Sequence, residues 1–254
     1  MKPECGSKII VLSLGAGLQS TTMLIMALKG KIQKPDDIIF ADTGNEPEAV
    51  YKHLEYLKSI CPWEIAIVQW KNIRDWHLSH KRFHLPVFTS EGGQLKRQCT
   101  YEFKLKPIRR YLAYKYGKRF KADMMIGIST DEMNRRRISN RAWQINIYPL
   151  IDHNMSREDC KNYLQEHSIK VPGKSSCVVC PFHSPKYWRE LKEKYLYEYN
   201  EACNFDDRIR NLKSTKYNYY LCSVRRPLRE IDWGNKQLIM FDDMSQECTG
   251  ICGT

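Results

Sequence analysis

Short apolar runs alternate with longer amphipathic stretches through the first half of the chain. The apolar runs predict strands at residues 9–14, 37–41, 65–69 and 124–128. The amphipathic stretches predict helices at residues 19–29, 46–60 and 103–116. Strands that alternate with helices are typical of a parallel sheet flanked by helices, so this half is predicted to have an α/β, Rossmann-like fold.

The second half of the chain has a different pattern. It predicts helices at residues 156–167 and 185–200, with irregular segments around them and a short tail. The change of pattern predicts two units: an α/β domain at residues 1–152 and a helical, cysteine-containing region at residues 153–254. The long polar stretch at residues 83–98 is predicted to be a mobile lid.

The turn after the first predicted strand is rich in glycine and hydroxyl residues: Gly15, Ala16, Gly17, Leu18, Gln19, Ser20 and Thr21. Glycines let the backbone approach an anion closely, and N–H groups at a helix start point toward it. The turn lacks the Gly-Lys-Ser/Thr of a Walker A loop and the third glycine of the dinucleotide fingerprint. It predicts a phosphate-binding loop, with an ordinary strand–turn–helix corner as the alternative.

A second turn, the acidic turn, follows the next predicted strand and contains Asp42, Thr43, Gly44 and Glu46. The carboxyl ends of parallel strands meet in one crevice, so both turns are expected to line it, and residues 1–152 are predicted to bind a nucleotide. A carboxylate there can bind a nucleotide hydroxyl or a Mg²⁺ ion held by phosphates. The alternative is that Asp42 caps the following helix or its turn.

Three cysteines have the spacing of a metal site. Cys177 and Cys180 form a C-x-x-C pair, and Cys99 is a distant third thiol. Thiolates are the normal ligands of iron–sulfur clusters, so a [4Fe–4S] cluster is predicted, with Cys160, or else Cys203 or Cys222, as a candidate fourth ligand. The alternatives are Zn²⁺, for which His183 is a fourth candidate, and unligated thiols.

Composition adds an expectation about partners and location. The 254 residues carry a net charge of +12, which favours an anionic partner such as a nucleic acid or a nucleotide, with solubility alone as the alternative. Tyrosines that interleave with Lys and Arg at residues 192–220 are candidates for stacking on nucleobases, although such tyrosines more often pack in the protein. No apolar stretch approaches the ~20 residues that span a bilayer, and residues 1–8 lack a signal-peptide core, so we expect a cytoplasmic protein without membrane contact.

These motifs resemble, in order along the chain, those of the phosphoadenylyl-sulfate (PAPS) reductase family in the adenine-nucleotide α-hydrolase-like (PP-loop) superfamily. The glycine turn is similar to the superfamily's pyrophosphate loop, S-G-G-x-D/Q-S, with Gly15 in place of the first serine. The acidic turn resembles the family's D-T-G element. Residues 99–108 resemble C-C-x-x-R-K-x-x-P-L, where Thr100 replaces the second cysteine and Lys104 keeps the lysine.

The resemblance continues to the end of the chain. Residues 127–135 are similar to G-I/L-R-x-x-E-S-x-x-R, and residues 148–152 are similar to the family's P-L/I segment before a helix. Cys177 and Cys180 stand where iron–sulfur members carry C-x-x-C. Residues 247–250, Glu-Cys-Thr-Gly, resemble the C-terminal E-C-G that holds the catalytic cysteine of the reductases.

The resemblance implies roles for single residues. Lys104 would point at phosphates or a sulfonate. Arg135, in the basic run of residues 135–137, is a candidate for binding phosphate oxygens through its guanidinium group, and the alternative is a solvated basic face. Cys248 would be a catalytic thiolate. Cys252, four residues later, is a candidate for exchanging with it through a disulfide, and the alternative is a tail with two spectator thiols.

Three functions remain open from the sequence. In the first, ATP adenylates an oxygen of a nucleic acid or nucleobase, and sulfur from an open iron or from a persulfide, supplied by a cysteine desulfurase, displaces the adenylate. In the second, Cys248 attacks an adenylyl sulfate, and a thioredoxin-like reductant clears the product. The third is a non-catalytic nucleotide-sensing or nucleic-acid-binding module. Ser20, the cysteine count and the net charge favour the first.

Overall fold

The computed structural model describes residues 8–212 and 217–234. Five of its strands form one parallel sheet in the order β3-β2-β1-β5-β6. These strands are β1 (Ile9–Ser13), β2 (Asp37–Asp42), β3 (Ile65–Gln69), β5 (Ala122–Met125) and β6 (Gln144–Ile147). The predicted α/β fold with a parallel sheet is therefore confirmed.

Helices cover both faces of this sheet. The α-helices are α1 (Leu18–Leu28), α2 (Glu48–Ile60), α3 (Ile73–Ser79), α4 (Lys106–Tyr116), α5 (Pro149–Asp152), α6 (Arg157–Glu166), α7 (Pro185–Lys194) and α8 (Leu196–Arg210). A π-helical turn, Tyr101–Leu105, leads directly into α4, and 3₁₀ turns lie at Thr130–Arg135 and Leu228–Glu230. The helix predicted at residues 185–200 is divided at Tyr195, and β6 and α3 were not predicted.

Alternate side chains of the central strands enter two different cores. Leu12 and Phe40 pack with α1, α2 and α6 on one face, whereas Val11 and Ile39 pack with α4 on the other. A strand buried on both faces needs a nearly continuous apolar run, which is what β1 and β2 supply. The α/β core includes Cys160 and therefore extends beyond residue 152.

A third core joins the segment at residues 83–98 to the helices α7 and α8. Leu85 and Val87 are buried in it together with Trp188 and Phe205. Strand β4 (Phe88–Thr89) pairs with strand β7 (Tyr219–Tyr220) in an antiparallel ladder. The stretch predicted to be a mobile lid is therefore packed against the C-terminal helices α7 and α8 through its apolar side chains.

No helix in the described part of the chain is long and apolar enough to cross a membrane.

Buried histidines make this fold sensitive to acid. His77 is fully buried, and its Nε2 accepts a hydrogen bond from the backbone N–H of His84 at 3.0 Å, so its Nδ1 carries the proton that bonds the carbonyl oxygen of Ile73. Burial lowers the pKa of His77 to about 4, and burial together with the charge of Lys170 does the same for His53. Both side chains are therefore neutral in the folded protein at pH 7.

We predict that the folded protein loses stability as the pH falls from about 6.5 toward 4. The unfolded chain binds protons at His77 in this range while the folded protein does not, so the free energy of unfolding falls by up to about 3 kcal/mol. Urea unfolding of His77→Gln across this range should give a flatter dependence on pH than wild type. The exposed His153→Gln is the control, and equal slopes in the two variants would contradict the prediction.

Candidate functional site

The glycine turn brings its backbone donors to one point. The N–H groups of Gly15 and Gly17 both point at Ser20 Oγ, at 3.2 and 3.3 Å, and Ser20 Oγ donates to the carbonyl oxygen of Gly17 at 3.2 Å. Ala16 between them has a φ of 52°, which few residues other than glycine adopt. The turn is thus held in a shape whose converging N–H groups, at the start of α1, suit an anion.

Two glycines allow other segments to approach this turn closely. A Cβ atom on Gly17 would lie 2.2 Å from Ser175 Oγ, and one on Gly127 would lie 3.0 Å from Gln19 Cβ. Gly127 follows β5, the neighbour of β1, and β1 and β5 flank the point where the strand order reverses. Ligands of open α/β sheets bind at such a point.

A cleft opens at this position, at the carboxyl ends of β1 and β2. Its wall contains Ser13, Leu14, Gly15, Gly17, Leu18, Gln19, Ser20, Phe40, Ala41, Lys104, Gly127, Arg157, Pro172, Gly173, Lys174 and Ser175. Three of these side chains, Lys104, Arg157 and Lys174, are cationic, and Leu18, Phe40 and Pro172 are apolar. The cleft therefore offers positive charge and backbone donors for phosphates beside apolar surface for a flat ring.

Several wall residues were not predicted from the sequence. Arg157 stands in the first turn of α6, while Lys174 and Ser175 come from an irregular segment far along the chain. The run Gly173-Lys174-Ser175 was a detectable signal, because small residues around a lysine are common at phosphate sites. Only the folded chain shows that this run meets the glycine turn.

Arg135 lies behind the cleft wall. Its Nη1 pairs with Glu132 Oε1 at 2.8 Å, and the Nη1 of Arg157 lies 3.5 Å from the same oxygen. Gln19 Nε2 donates to Glu132 Oε2 at 3.0 Å. Glu132 thus holds three side chains, of which Gln19 and Arg157 reach the cleft and Arg135 does not.

Other predicted nucleotide contacts have internal partners. Thr21 Oγ1 lies 3.0 Å from His53 Nε2, in a buried contact between α1 and α2. Asp42 Oδ1 accepts hydrogen bonds from the N–H of Gly44 at 2.7 Å and from the hydroxyl of Tyr51 at 2.8 Å. Thr21, Asp42 and Gly44 therefore do not line the cleft. Asp42 instead accepts a hydrogen bond within its own turn, which is the alternative given for it above.

Thr43 and Glu46, from the acidic turn, form a buried polar cluster with Lys104. Lys104 Nζ lies 3.2 Å from Glu46 Oε1, and Thr43 Oγ1 donates to the same oxygen at 3.0 Å. The side chains of Lys104 and Glu46 are only 11% and 2% exposed. Cys177 Sγ lies 3.2 Å from Thr43 Oγ1 and 3.7 Å from Glu46 Oε1, so the cluster also contacts a predicted metal ligand.

The three cysteines of the predicted cluster line one small cavity beside the cleft. Its wall is formed by Thr43, Ile73, Leu85, Pro86, Arg97, Cys99, Thr100, Lys104, Cys177, Cys180, Pro181 and Phe182. Lys104 belongs to the walls of both spaces. Cys160 lies elsewhere, in the core around α1 and α6, where burial raises the pKa of its thiol to about 11. The structure thus brings Cys99, Cys177 and Cys180 to one cavity and places Cys160 elsewhere, while Cys203 and Cys222 share a core with Cys177 and Cys180 without lining the cavity.

By side-chain type this cavity suits a thiolate-bound group, because three cysteines line its wall. Thr100 Oγ1 is buried in its wall without a hydrogen-bond partner, so it can bond a polar or sulfur-containing group bound beside it. His183 Nδ1 is also buried without a partner, while its Nε2 bonds the carbonyl oxygen of Cys177 at 2.9 Å. As placed, no three His, Cys, Asp or Glu side chains of the described residues form a ligand set for a metal ion.

The predicted catalytic thiols Cys248 and Cys252 lie outside the described residues.

A buried ion pair is expected to make Lys104 important for stability. We predict that Lys104→Met lowers the free energy of unfolding by about 3–5 kcal/mol, because it leaves the Glu46 carboxylate buried without its cation. The double variant Glu46→Gln/Lys104→Met should recover at least half of this loss in urea unfolding. Lys52→Met, which breaks the exposed pair with Glu48, is the control and should cost far less than Lys104→Met. Equal losses in Lys104→Met and Lys52→Met would contradict the prediction.

The family model for the phosphoadenosine phosphosulfate reductase domain matches residues 9–173, a range that ends just before Cys177. No curated protein sequence matches the chain. Solved structures that match include the phosphate complex of PAPS reductase from Candida auris, with 16% sequence identity and a TM-score of 0.47. That match covers 66% of this chain and 76% of the other.

Proposed function

The chain belongs to the phosphoadenosine phosphosulfate reductase domain family of the PP-loop superfamily, and from this premise we propose that it is an ATP-dependent enzyme that inserts sulfur into a nucleic acid or nucleobase. The observation that carries the proposal is the shared wall of the two cavities. Lys104 lines both the cleft with the phosphate-binding geometry and the cavity with three cysteines. A nucleotide in the cleft would therefore lie beside sulfur-handling thiols.

The cleft supports the nucleotide part of the proposal. In the proposal, phosphate oxygens replace Ser20 Oγ as acceptors of the Gly15 and Gly17 N–H groups, and Lys104, Arg157 and Lys174 place positive charge beside them in the same wall. The apolar side chains of Leu18 and Pro172 supply a surface for adenine. Mg²⁺ bridging the phosphates belongs to the proposal, although Asp42 is engaged within its own turn.

In the proposed reaction, an acceptor oxygen attacks the α-phosphorus of ATP and pyrophosphate leaves. A sulfide-level sulfur then displaces AMP and takes the place of that oxygen. The protein's part is to hold the phosphates in line and to keep developing negative charge beside cationic side chains, of which Lys104 is fixed by Glu46. A cysteine desulfurase is a suitable source of the sulfur when a thiol reductant supplies the two electrons that release sulfide from its persulfide and is itself oxidised to a disulfide.

Cys99, Cys177 and Cys180 would hold the cofactor in this proposal. A [4Fe–4S] cluster bound by three thiolates would supply an open iron on which sulfur is carried. Zn²⁺ is the alternative, with His183 nearby. The buried Thr100 hydroxyl supports the presence of a polar or sulfur-containing group in this cavity.

A second candidate is an adenylyl-sulfate reductase, which the family match favours. In that reaction Cys248 would attack the sulfur of an adenylyl sulfate, and a thioredoxin-like protein would reduce the product. The two reactions are separated by incubation with adenylyl sulfate and no reductant. A covalent sulfonate on Cys248 would favour the reductase, whereas release of pyrophosphate from ATP only when acceptor is present would favour sulfur insertion.

Nucleotide binding is tested by two arginines that share one partner. We predict that Arg157→Gln weakens ATP binding about 10- to 100-fold, the effect of losing one charge-assisted hydrogen bond. Arg135→Gln is the matched control, because Arg135 also pairs with Glu132 but does not line the cleft. Calorimetric titration with ATP checks this, and an equal or larger effect of Arg135→Gln would place the phosphates elsewhere.

Cofactor binding is tested by iron and sulfide analysis of anaerobically prepared protein. We predict about four iron and four sulfide ions per chain, with most of both lost in Cys177→Ser. Cys160→Ser should keep the full complement, because Cys160 lies in a different core. Stoichiometric zinc without sulfide would support the alternative metal, and equal iron content in all three proteins would refute the assignment of Cys177.

A further inference from the structure

The net charge of the chain comes from two segments. Residues 103–122 contain eight Lys and Arg, residues 133–151 contain four, and neither segment contains Asp or Glu. These twelve cations equal the net charge of +12, so Lys and Arg balance Asp and Glu in the rest of the chain. Such a concentration is unlike a solubilising charge spread over the whole surface.

The two segments are neighbours in the fold. The first contains the end of the π-helical turn and α4, and the second contains the loop before β6 and β6 itself. The guanidinium carbon of Arg141 lies 4.2 Å from the ring centroid of Tyr101, at the start of the π-helical turn. Ile108, Leu112 and Tyr148 belong to one core, so both segments cover the same face of the sheet.

Their cationic side chains are largely available to a partner. Lys104, Lys106, Lys115 and Arg135 have carboxylate partners. The exposed cations without an ion pair to any described carboxylate, together called the basic face, are Arg109, Arg110, Lys118, Arg119, Lys121, Arg136 and Arg137. Two apolar side chains of the same segments are also almost fully exposed, Tyr114 at 92% and Ile138 at 99%.

The basic face begins beside the cleft. Lys104, in the cleft wall, precedes Arg109 by little more than one helical turn. Glu132, which precedes the second segment, accepts a hydrogen bond from Gln19 of the glycine turn. The Arg109 end of the basic face therefore lies near the cleft, whereas residues 118–121 lead into β5 at the opposite edge of the sheet. A long anionic molecule on this face would thus extend toward the cleft.

We propose that the basic face binds the phosphate backbone of a nucleic acid and that the acceptor of the reaction is a nucleotide within a polymer. A cluster of exposed cations on one face of a fold is typical of backbone binding, and the exposed ring of Tyr114 is suited to stacking on a base. A membrane fits less well, because the apolar side chains Ile108 and Leu112 of α4 are buried in the core. The identity of the acceptor rests on the proposed function, whereas binding by this face does not.

This location differs from the tyrosine-rich segment that the sequence indicated. Tyr199 and Tyr219 are buried, and the hydroxyl of Tyr199 bonds the carbonyl oxygen of Leu228 at 2.8 Å. Only Tyr195 and Tyr197 among the described members are exposed. Tyr199, Tyr217 and Tyr219 pack in or against the C-terminal core, which is the alternative given for these tyrosines above.

The test compares two variants of equal charge. The face variant combines Arg109→Gln, Arg110→Gln, Lys118→Gln and Arg119→Gln. The control variant removes four exposed cations elsewhere, with Lys29→Gln, Lys31→Gln, Lys81→Gln and Arg82→Gln. Fluorescence anisotropy measures binding of each protein to fluorescein-labelled 20-mers of single- and double-stranded RNA and DNA over a range of salt concentrations.

Wild type should bind at least one of the four probes, with an affinity that falls steeply with salt. In the face variant the affinity should fall at least tenfold, and the slope of log K against log salt should become shallower by about 1 for each phosphate that is no longer neutralised by a cation. The control variant should keep the wild-type slope. Circular dichroism confirms that both variants are folded.

Three results would overturn the proposal. In the first, wild type binds none of the probes, and in the second, the face and control variants lose affinity equally. In the third result, the face variant still binds nucleic acid but no longer binds phosphatidylserine vesicles. Titration with ATP separates this proposal from the proposed function. If none of the proteins binds ATP but nucleic acid still binds through the basic face, only the proposed function is refuted.

Discussion

The ion pair between Glu46 and Lys104 is the interaction on which the site depends. It connects the turn after β2 to the π-helical turn before α4, and it is almost excluded from water. Each charge alone would be costly in that place, so each side chain fixes the position of the other. Because Lys104 lines both cavities and Thr43 links Glu46 to Cys177, this pair also joins the nucleotide cleft to the cysteine cavity.

The π-helical turn explains how Lys104 reaches this position. It spans Tyr101–Leu105 and passes into α4 just before Pro107. Wider turns of this type commonly occur at functional sites, where they change the direction of a side chain without ending the helix. Here Phe103 and Leu105 are buried in two different cores, so the turn is held from both sides while Lys104 lies between the cavities. The same turn leads into the basic helix α4, which places an exposed cationic surface beside the cleft.

Much of this architecture could be predicted from local pattern, and the remainder depends on packing. Continuous apolar runs located β1, β2 and β3, since buried parallel strands need them. β6 was not predicted because Gln144 and Asn146 interrupt its apolar pattern. The glycine turn was recognisable, but the direction of the Thr21 side chain is set by His53, which lies 32 residues away. Arg157 and Lys174 reach the cleft only because distant segments fold over it, and no spacing rule connects them to Gly15. The concentration of charge was present in the sequence, whereas its location on one face is a property of the fold.

The central claim is that the cleft and the cysteine cavity form one site through Lys104 and Glu46. Iodoacetamide alkylation of Cys99, Cys177 and Cys180, followed by peptide mass spectrometry with and without saturating ATP, tests it directly. Cys160, in a separate core, serves as the internal reference. The account predicts that ATP changes the alkylation rates of the three cavity cysteines in wild type and leaves them unchanged in Glu46→Gln/Lys104→Met. Identical rates in wild type with and without bound ATP would contradict it.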